Sequence, residues 1–358
     1  MKTDICIVGG GIIGLFSAYE LCARGLQVCL IDRDDFGKQC TAAAGGILSP
    51  LLPWNYTQDL NNLCRQANQH YEKLSQQLIA ETGINIEYQN SGLLVLADDN
   101  IKAHSAWCND NRISCQPAIQ RTEDIVSNLY KNALLLPEVS QLNPIPVVDG
   151  LRRLLLAAGA QLYSKTKVTG LIQQHGRVTG LSCSHGDIEA EAIVWATGAW
   201  APELSSLINE VKVPPIQPIR GQAIAFDAAD IDLNHIVIHQ GHYLIPRQDG
   251  TILAGSTLEK VGYDNGITES VRADLLQRSF EIIPKLACNK VLRHWSGLRP
   301  ASTTGQPIIG AAPQVSGLFL NCGHHRYGVT MAGSSAIKIS DLVLRYVNAN
   351  KPAETSLM

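Results

Sequence analysis

Near the N-terminus Ile5-Cys6-Ile7-Val8 runs straight into Gly9-Gly10-Gly11-Ile12-Ile13-Gly14, and a second apolar run, Val28-Cys29-Leu30-Ile31, ends in Asp32. Strand, glycine turn, helix, strand and acid in this order make a βαβ unit suited to an adenine dinucleotide. Gly9 makes the tight turn, Gly11 lets backbone approach a pyrophosphate, and Gly14 lets the helix pack closely on the strand. The helix start at Ile12 and Ile13 offers free N–H groups and a positive dipole end to phosphates. Asp32, followed by Arg33, is placed to accept hydrogen bonds from the adenosine ribose. The competing reading is a glycine turn of structural use alone; it leaves the ordered strand, helix and acid unexplained.

A chain of 358 residues is long for one core, so one or two domains are expected. A hydrophobic content of 45% with 17% charged residues is that of an ordinary folded protein, not a disordered one. The net charge of −3 gives no global attraction to nucleic acid. The small basic groups Arg152-Arg153 and Lys165/Lys167 read as solvated faces. Ten cysteines include no CxxC pair, and Cys6, Cys29, Cys183 and Cys322 sit in apolar or strand-like runs, as expected in a reducing cytoplasm. No Cys/His/carboxylate cluster has metal-ligand spacing. No apolar run reaches the length of about 18 residues that a membrane span needs.

Along the chain the spacing predicts a helix from Gly11 to Arg24, stopped by Gly25, and one long helix from Asp59 to Thr82. A strand is expected at Gly92–Ala97, a helix at Val147–Ala158 with Leu151, Leu154, Leu155 and Ala158 inward, and strands at Gln161–Tyr163 and Lys167–Leu171. The run Ala192–Trp195 ends in Ala196-Thr197-Gly198, a turn fit for close backbone approach. From Pro214 the pattern turns to β, with runs at Gly221–Phe226, Tyr243–Pro246 and Thr251–Gly255. Gly317–Gly323 is a further strand entering a glycine turn, and a helix from Ser334 to Tyr346 closes the chain.

Three features spread over the whole length act together: the opening βαβ unit, the Ala-Thr-Gly turn at 196–198 and the Gly323–Gly328 turn. In that spread the chain resembles FAD-dependent amine oxidoreductases of the D-amino acid oxidase and glycine oxidase family. Ala43-Ala44-Gly45-Gly46-Ile47-Leu48-Ser49-Pro50, Trp295-Ser296-Gly297-Leu298-Arg299-Pro300 and Gly323-His324-His325-Arg326-Tyr327-Gly328 narrow the likeness to the thiamine-pathway glycine oxidase type. After Arg326 the sequence departs from the family pattern, with Met331-Ala332-Gly333 where Ala-Pro is usual.

The resemblance implies an α/β fold: an FAD-binding, Rossmann-like unit on a mostly parallel sheet, and a substrate unit on a large antiparallel sheet. The first is assigned to residues 1–50, 145–205 and 290–358, the second to 51–144 and 206–289. It implies FAD with adenosine on Asp32 and pyrophosphate at Gly11–Gly14, the Val168 backbone beside adenine, and Thr197 and Gly198 closing the phosphate side. Ala43, Ala44, Gly45, Gly46 and Ile47 would flank the isoalloxazine, as would Gly323, His324, His325, Arg326, Tyr327, Gly328 and Val329. Pro300–Gly305 lacks the cysteine that covalent relatives use, so the FAD is expected to be noncovalent.

The reaction implied is oxidative deamination of glycine or another small amino acid, with hydride transfer to flavin N5 and O2 as acceptor. Arg299 would bind the substrate carboxylate through its planar fork. Tyr243 would add a phenolic hydrogen bond, and Arg326 would orient the pocket or stabilise charge on the reduced ring. The bland alternatives are a surface arginine before proline in a loop and a half-buried strand tyrosine. His324 and His325 read as flavin-lining or packing residues, because adjacent side chains diverge. Arg220 reads as structural, and Trp54 and Tyr56 as a pocket lid or loop anchors. A dehydrogenase passing electrons to a quinone or a protein is the alternative. A tRNA-modifying flavoenzyme would need a basic face, which the charge pattern lacks. The expected partners are the small amino acid and O2, with no nucleic acid and no membrane span; a homo-oligomer stays open.

Overall fold

The computed structural model describes residues 1–96, 100–118, 126–127, 132–207, 213–313 and 315–350. The elements that position the site are strands β1 (Lys2–Val8), β2 (Val28–Ile31), β3 (Gly186–Trp195), β4 (Ile216–Asp227), β5 (His242–Pro246), β6 (Thr251–Gly255), β7 (Val291–Ser302) and β8 (Leu318–Cys322). With them stand helices α1 (Ile12–Ala23), α2 (Gln58–Cys64), α3 (Ala67–Thr82), α4 (Pro144–Ala157) and α5 (Gly328–Asn350).

β1 lies between β2 and β3, parallel to both; β8 extends the parallel set beyond β3, and Gln161–Tyr163 extends it beyond β2. Ile308–Ala311 pairs antiparallel with β8, and Val168–Gln174 with Arg177–Cys183 forms a hairpin on β3. Alternation along β1 divides the packing between two faces. Ile5 and Ile7 meet α1, α4 and α5, whereas Cys6 and Val8 face Ile31, Ile193 and Trp195. Cys6, Cys29 and Cys322 are buried in that second cluster, where they act as small apolar side chains.

The second sheet runs β7-β4-β6-β5, then Ile236–His239, Leu93–Leu96, Ala133–Leu136 and Gln116–Ala118. Its pairings are antiparallel except between Ile236–His239 and Leu93–Leu96. The chain thus forms the expected α/β combination of a mostly parallel and a large antiparallel sheet. β7 pairs along its length with β4, so residues 291–302 are hydrogen-bonded to the antiparallel sheet, although the sequence reading assigned 290–358 to the FAD-binding segment.

Four local expectations need correction. The helix expected over Asp59–Thr82 is two helices, broken at Arg65 and Gln66. Leu60 and Cys64 pack against Tyr327 and Met331, whereas Tyr71, Leu74 and Leu78 enter the core beside Phe16; two destinations bend one periodic pattern. The helix expected at Val147 starts at Pro144, where the Asn143 side chain accepts a hydrogen bond from the Ile145 N–H at 3.2 Å. Ala158, expected inward, is the exposed cap of that helix. The last helix begins at Gly328, not Ser334, and Gly333 within it leaves room for the His70 ring; a Cβ there would lie 2.2 Å from its Nδ1. Ala97, the end of one expected strand, lies outside the described residues.

α1 begins and ends as its glycines require, with Gly11 at the N-cap and Gly25 at φ +83° after Arg24. Its seat on β1 is set by Gly14, where a Cβ would stand 1.8 Å from the Gly9 carbonyl oxygen. Gly14→Ala must therefore push α1 off the sheet. We expect a loss of about 1–3 kcal/mol, read as a lowered thermal midpoint; an unchanged midpoint would contradict this packing.

Candidate functional site

β1, β2, β3 and β8 end on the same edge of the parallel sheet, and the residues that follow each strand line one continuous cavity of about 420 Å3. A crevice beyond the carboxyl ends of parallel strands, where strand order switches, is the general ligand position of such sheets. The antiparallel sheet closes the far end with Gly221 from β4, Tyr243 from β5, and Gly297 and Arg299 from β7. The segment around Ala43–Ile47 lines the cavity between the two sheets.

At the first end the glycine turn has distinct tasks. A Cβ at Gly10 would meet the Phe36 ring at 2.0 Å, so that glycine serves packing. A Cβ at Gly11 would meet only the Thr41 hydroxyl at 3.4 Å, leaving an open approach from the cavity. Thr41 Oγ1 accepts the Ile12 N–H at 3.0 Å and so holds the helix start. Asp32 accepts the Gly10 N–H at 2.6 Å and the Asp34 N–H at 2.8 Å. Burial pushes its carboxyl upward, and those two donors pull against the shift. Arg33 lies 4.5 Å from the Trp200 ring centroid and pairs with Glu203 at 3.2 Å. Thr197 Oγ1, on the turn after β3, is buried with no hydrogen-bond partner among the described residues.

The middle segment is pinned from several sides. Arg247 donates to the carbonyls of Gly45 at 2.6 Å and Leu142 at 2.8 Å, and to Gln141 Oε1 at 3.0 Å; burial lowers its guanidinium to about 10. Trp295 Nε1 donates to the Ala43 carbonyl at 3.3 Å, and Thr330 Oγ1 to that of Ile47 at 3.0 Å. Gly46 sits at φ +72°, where a Cβ would press on the Leu142 oxygen at 2.0 Å.

At the far end Arg299 lies flat over Gly221; a Cβ there would stand 2.1 Å from its Nη2. Its Nη1 donates to the Thr257 carbonyl at 2.9 Å and its Nη2 to Ser256 Oγ at 2.7 Å, both neutral acceptors. Among the described residues no carboxylate forms an ion pair with Arg299. Burial, with Arg326 adding to it, lowers the Arg299 guanidinium below its ordinary value. Tyr243 is 8% exposed. Arg326 lines the same end of the cavity. His325, at φ +50°, is pushed down to about 4 by burial first and then by Arg299 and Arg326, so it is neutral at ordinary pH.

Of the flavin and substrate residues assigned from sequence, all but Gly14 and Gly323 line the cavity, whereas Trp54, Tyr56 and Arg220 do not. Arg299 stands on a strand, not in the loop of the bland reading. Trp54 stacks on His104 at 4.1 Å and does not line the cavity, while the Tyr56 hydroxyl accepts a hydrogen bond from that of the lining residue Tyr327. Sequence reasoning missed Thr41, Trp200, Ser256 and the facing pair Gly221 and Gly297, which are register partners of β4 and β7. A glycine inside a strand marks close approach, which is the signal that could have found the pair. Gly297 indeed admits Ala43, whose Cβ would lie 2.5 Å from an added one.

A family model described as FAD dependent oxidoreductase matches residues 4–342. The chain belongs to that family. Its relatives include the glycine oxidase of Pseudomonas putida, 36% identical over 348 residues that cover 96% of this chain and 95% of that protein. The bifunctional protein ThiO/ThiG of Trichormus variabilis is 31% identical over 363 residues, covering 96% of this chain and 53% of that longer protein. The crystal structure of glycine oxidase from Geobacillus kaustophilus is similar with a TM-score of 0.90 at 26% identity, covering 96% of this chain and 95% of that one.

The cavity fits FAD on its own chemistry. The Asp32 carboxylate suits a ribose, the open Gly11 face suits a pyrophosphate, and the orphaned Thr197 hydroxyl lacks the partner that a phosphate or ribityl oxygen would supply. Replacing Thr197 with Val should raise the FAD dissociation constant about tenfold. The flavin-free protein should lose no thermal stability, because its hydroxyl is unpaired there. Equal loss of FAD affinity and apoprotein stability would make Thr197 a packing residue only.

Proposed function

We propose that the protein catalyses FAD-dependent oxidation of glycine and other small amino acids, including N-methylglycine, with O2 as acceptor. Glycine, O2 and water give glyoxylate, ammonia and hydrogen peroxide. The observation that carries this reading is Arg299, a half-buried guanidinium with neutral hydrogen-bond acceptors, lying flat over Gly221 at one end of an FAD-sized crevice. A partly desolvated cation of this kind is best satisfied by an arriving carboxylate, and the planar fork fixes that carboxylate's orientation.

FAD, when bound, accepts the two electrons released from the Cα–N bond. Arg299 holds the substrate carboxylate, and the Tyr243 hydroxyl adds a hydrogen bond to it. Arg326 supplies positive charge at the same end, where α5 also directs its N-terminus, Gly328 and Val329 lining the cavity. The described carboxylates that line the cavity, Asp32, Asp34, Asp35 and Glu203, belong to the adenosine end. The substrate end therefore offers no anion to an ammonium group, and the substrate binds with its amine neutral.

We infer that FAD is held without a covalent bond: burial pushes the lining thiols Cys40 and Cys322 up, Cys322 to about 12, which leaves them poor nucleophiles. Cysteines buried as small apolar side chains, such as Cys6, Cys29 and Cys322, suit a cytoplasmic setting. Among the described residues no helix is long and apolar enough to cross a membrane. The likeness to a ThiO/ThiG protein supports a role in forming the thiamine thiazole.

The direct test is product balance in air: one peroxide and one ammonia for each glyoxylate formed from glycine. Oxidation of glycine without peroxide would favour another electron acceptor. Arg299→Lys should keep FAD bound and raise KM for glycine roughly 10- to 100-fold; unchanged kcat/KM would remove Arg299 from this role. kcat/KM should rise with pH until the substrate ammonium has lost its proton. His325, held at about 4, should add no step between about pH 6 and 8, where an ordinary histidine titrates. A step in that range that vanishes in His325→Gln would contradict the assignment.

A further inference from the structure

Both hydrogen-bond acceptors of Arg299 come from Ser256 and Thr257, the first two residues after β6, and this strap, of which Ser256 lines the cavity, continues to Thr268. Residues 260–268 of the strap are exposed, so packing alone does not hold it. Its hold is a polar network rooted in β4, where Arg220 is 4% exposed and Gln222 fully buried.

Arg220 pairs through Nη2 with Glu259 at 2.8 Å and through Nη1 with Asp264 at 2.7 Å, so one guanidinium grips the strap at two points. The backbones of Arg220 and Glu259 also exchange both N–H···O bonds, each at 2.9 Å. Glu259 accepts further bonds from Thr257 Oγ1 at 2.5 Å and Gln222 Nε2 at 3.0 Å. Thr257 Oγ1 in turn accepts the Gln222 N–H at 2.9 Å. Gln222 Oε1 accepts the Thr268 N–H at 3.0 Å, tying down the far end, and Tyr263 donates to the Ala199 carbonyl at 3.1 Å.

We propose that Arg220 and Glu259 are positioning residues for substrate binding: their ion pair holds the Ser256–Thr257 strap in the place from which it aims the Arg299 guanidinium at the substrate carboxylate. The inference rests on the assignment of Arg299 as the carboxylate anchor. Arg299 is confined from one side by the bare surface of Gly221 and from another by the strap. Bidentate recognition requires the fork to be correctly turned, and a strap released from Glu259 lets it rotate. Among the described residues the Arg220–Glu259 pair makes no contact with the glycine turn or Asp32, and the strap reaches the Ala199 turn only through Tyr263, so loss of the pair should act on carboxylate binding before FAD binding.

The test uses the FAD-loaded protein and acetate, a carboxylate that cannot be oxidised, titrated by the change in flavin absorption. Glu259→Ala should raise the acetate dissociation constant about tenfold. Glu259→Gln, which keeps the side-chain size but not the charge, should raise it about threefold. In both variants KM for glycine should rise more than kcat falls, and the FAD dissociation constant should stay within about twofold of the parent. Arg220→Lys should restore part of what Arg220→Met loses, because an ammonium keeps the charge but cannot bridge both carboxylates.

Arg299→Lys is run alongside to separate the two claims. Weakened acetate binding in Arg299→Lys with unchanged binding in both Glu259 variants would overturn the strap's role and leave the anchor standing. Unchanged acetate binding in Arg299→Lys would overturn the anchor and the inference with it. Equal losses of acetate and FAD affinity in the Glu259 variants would reduce the network to ordinary fold stability and overturn the proposal.

Discussion

A guanidinium taken out of water has to be met by hydrogen bonds and, in the working state, by an anion. Arg299 has the first from Ser256 and Thr257, and among the described residues no carboxylate pairs with it. The surrounding architecture keeps that arrangement open. β7 carries Arg299 across from β4, Gly221 gives the planar guanidinium a flat bed, and the nearby carboxylate Glu259 is engaged by Arg220. His325, on the turn beside them, is kept neutral by burial first and then by Arg299 and Arg326.

The two sheets divide the work. The parallel sheet ends four strands on one edge and sets out the glycine turn, Asp32, Thr197 and the His324–Tyr327 turn along one crevice. The antiparallel sheet closes that crevice with side chains whose relative positions are set by strand register. Between them the Ala43–Ile47 segment is fixed by Arg247, Trp295 and Thr330, each donating to a main-chain carbonyl. Such a wall presents backbone and small side chains, which suits a flat ring system. Gly297 belongs to the same logic, since Ala43 occupies the space where its Cβ would stand.

Features written in local sequence were legible without coordinates. The glycine turn, Asp32 and the Ala-Thr-Gly turn depend on neighbours close in the chain, and the arginine motifs carried a family likeness. What depends on distant register was not legible. The break at Arg65 and Gln66 arises because Leu60 and Tyr71 serve different cores, and no periodicity within 59–82 encodes that. The start of α5 at Gly328 was hidden by the preceding glycine-rich turn. Arg220, Glu259 and Ser256 acquire their tasks only when β4, β6 and β7 are aligned, and Arg247 only when the turn after β5 meets Gly45 and Leu142, so their residue types alone said little. The paired glycines 221 and 297 were visible but acquire meaning only once they are known to face each other.

The central claim is that an amino-acid carboxylate docks on Arg299 so that its α-carbon can be oxidised by FAD. The most direct measurement mixes the FAD-loaded protein, without oxygen, with glycine, N-methylglycine, D-alanine, D-proline and L-alanine separately, and follows the yellow flavin absorption before and after air is admitted. The account predicts bleaching by glycine or the other small substrates and rapid return of colour in air with peroxide release. Unchanged flavin colour with all five would contradict it.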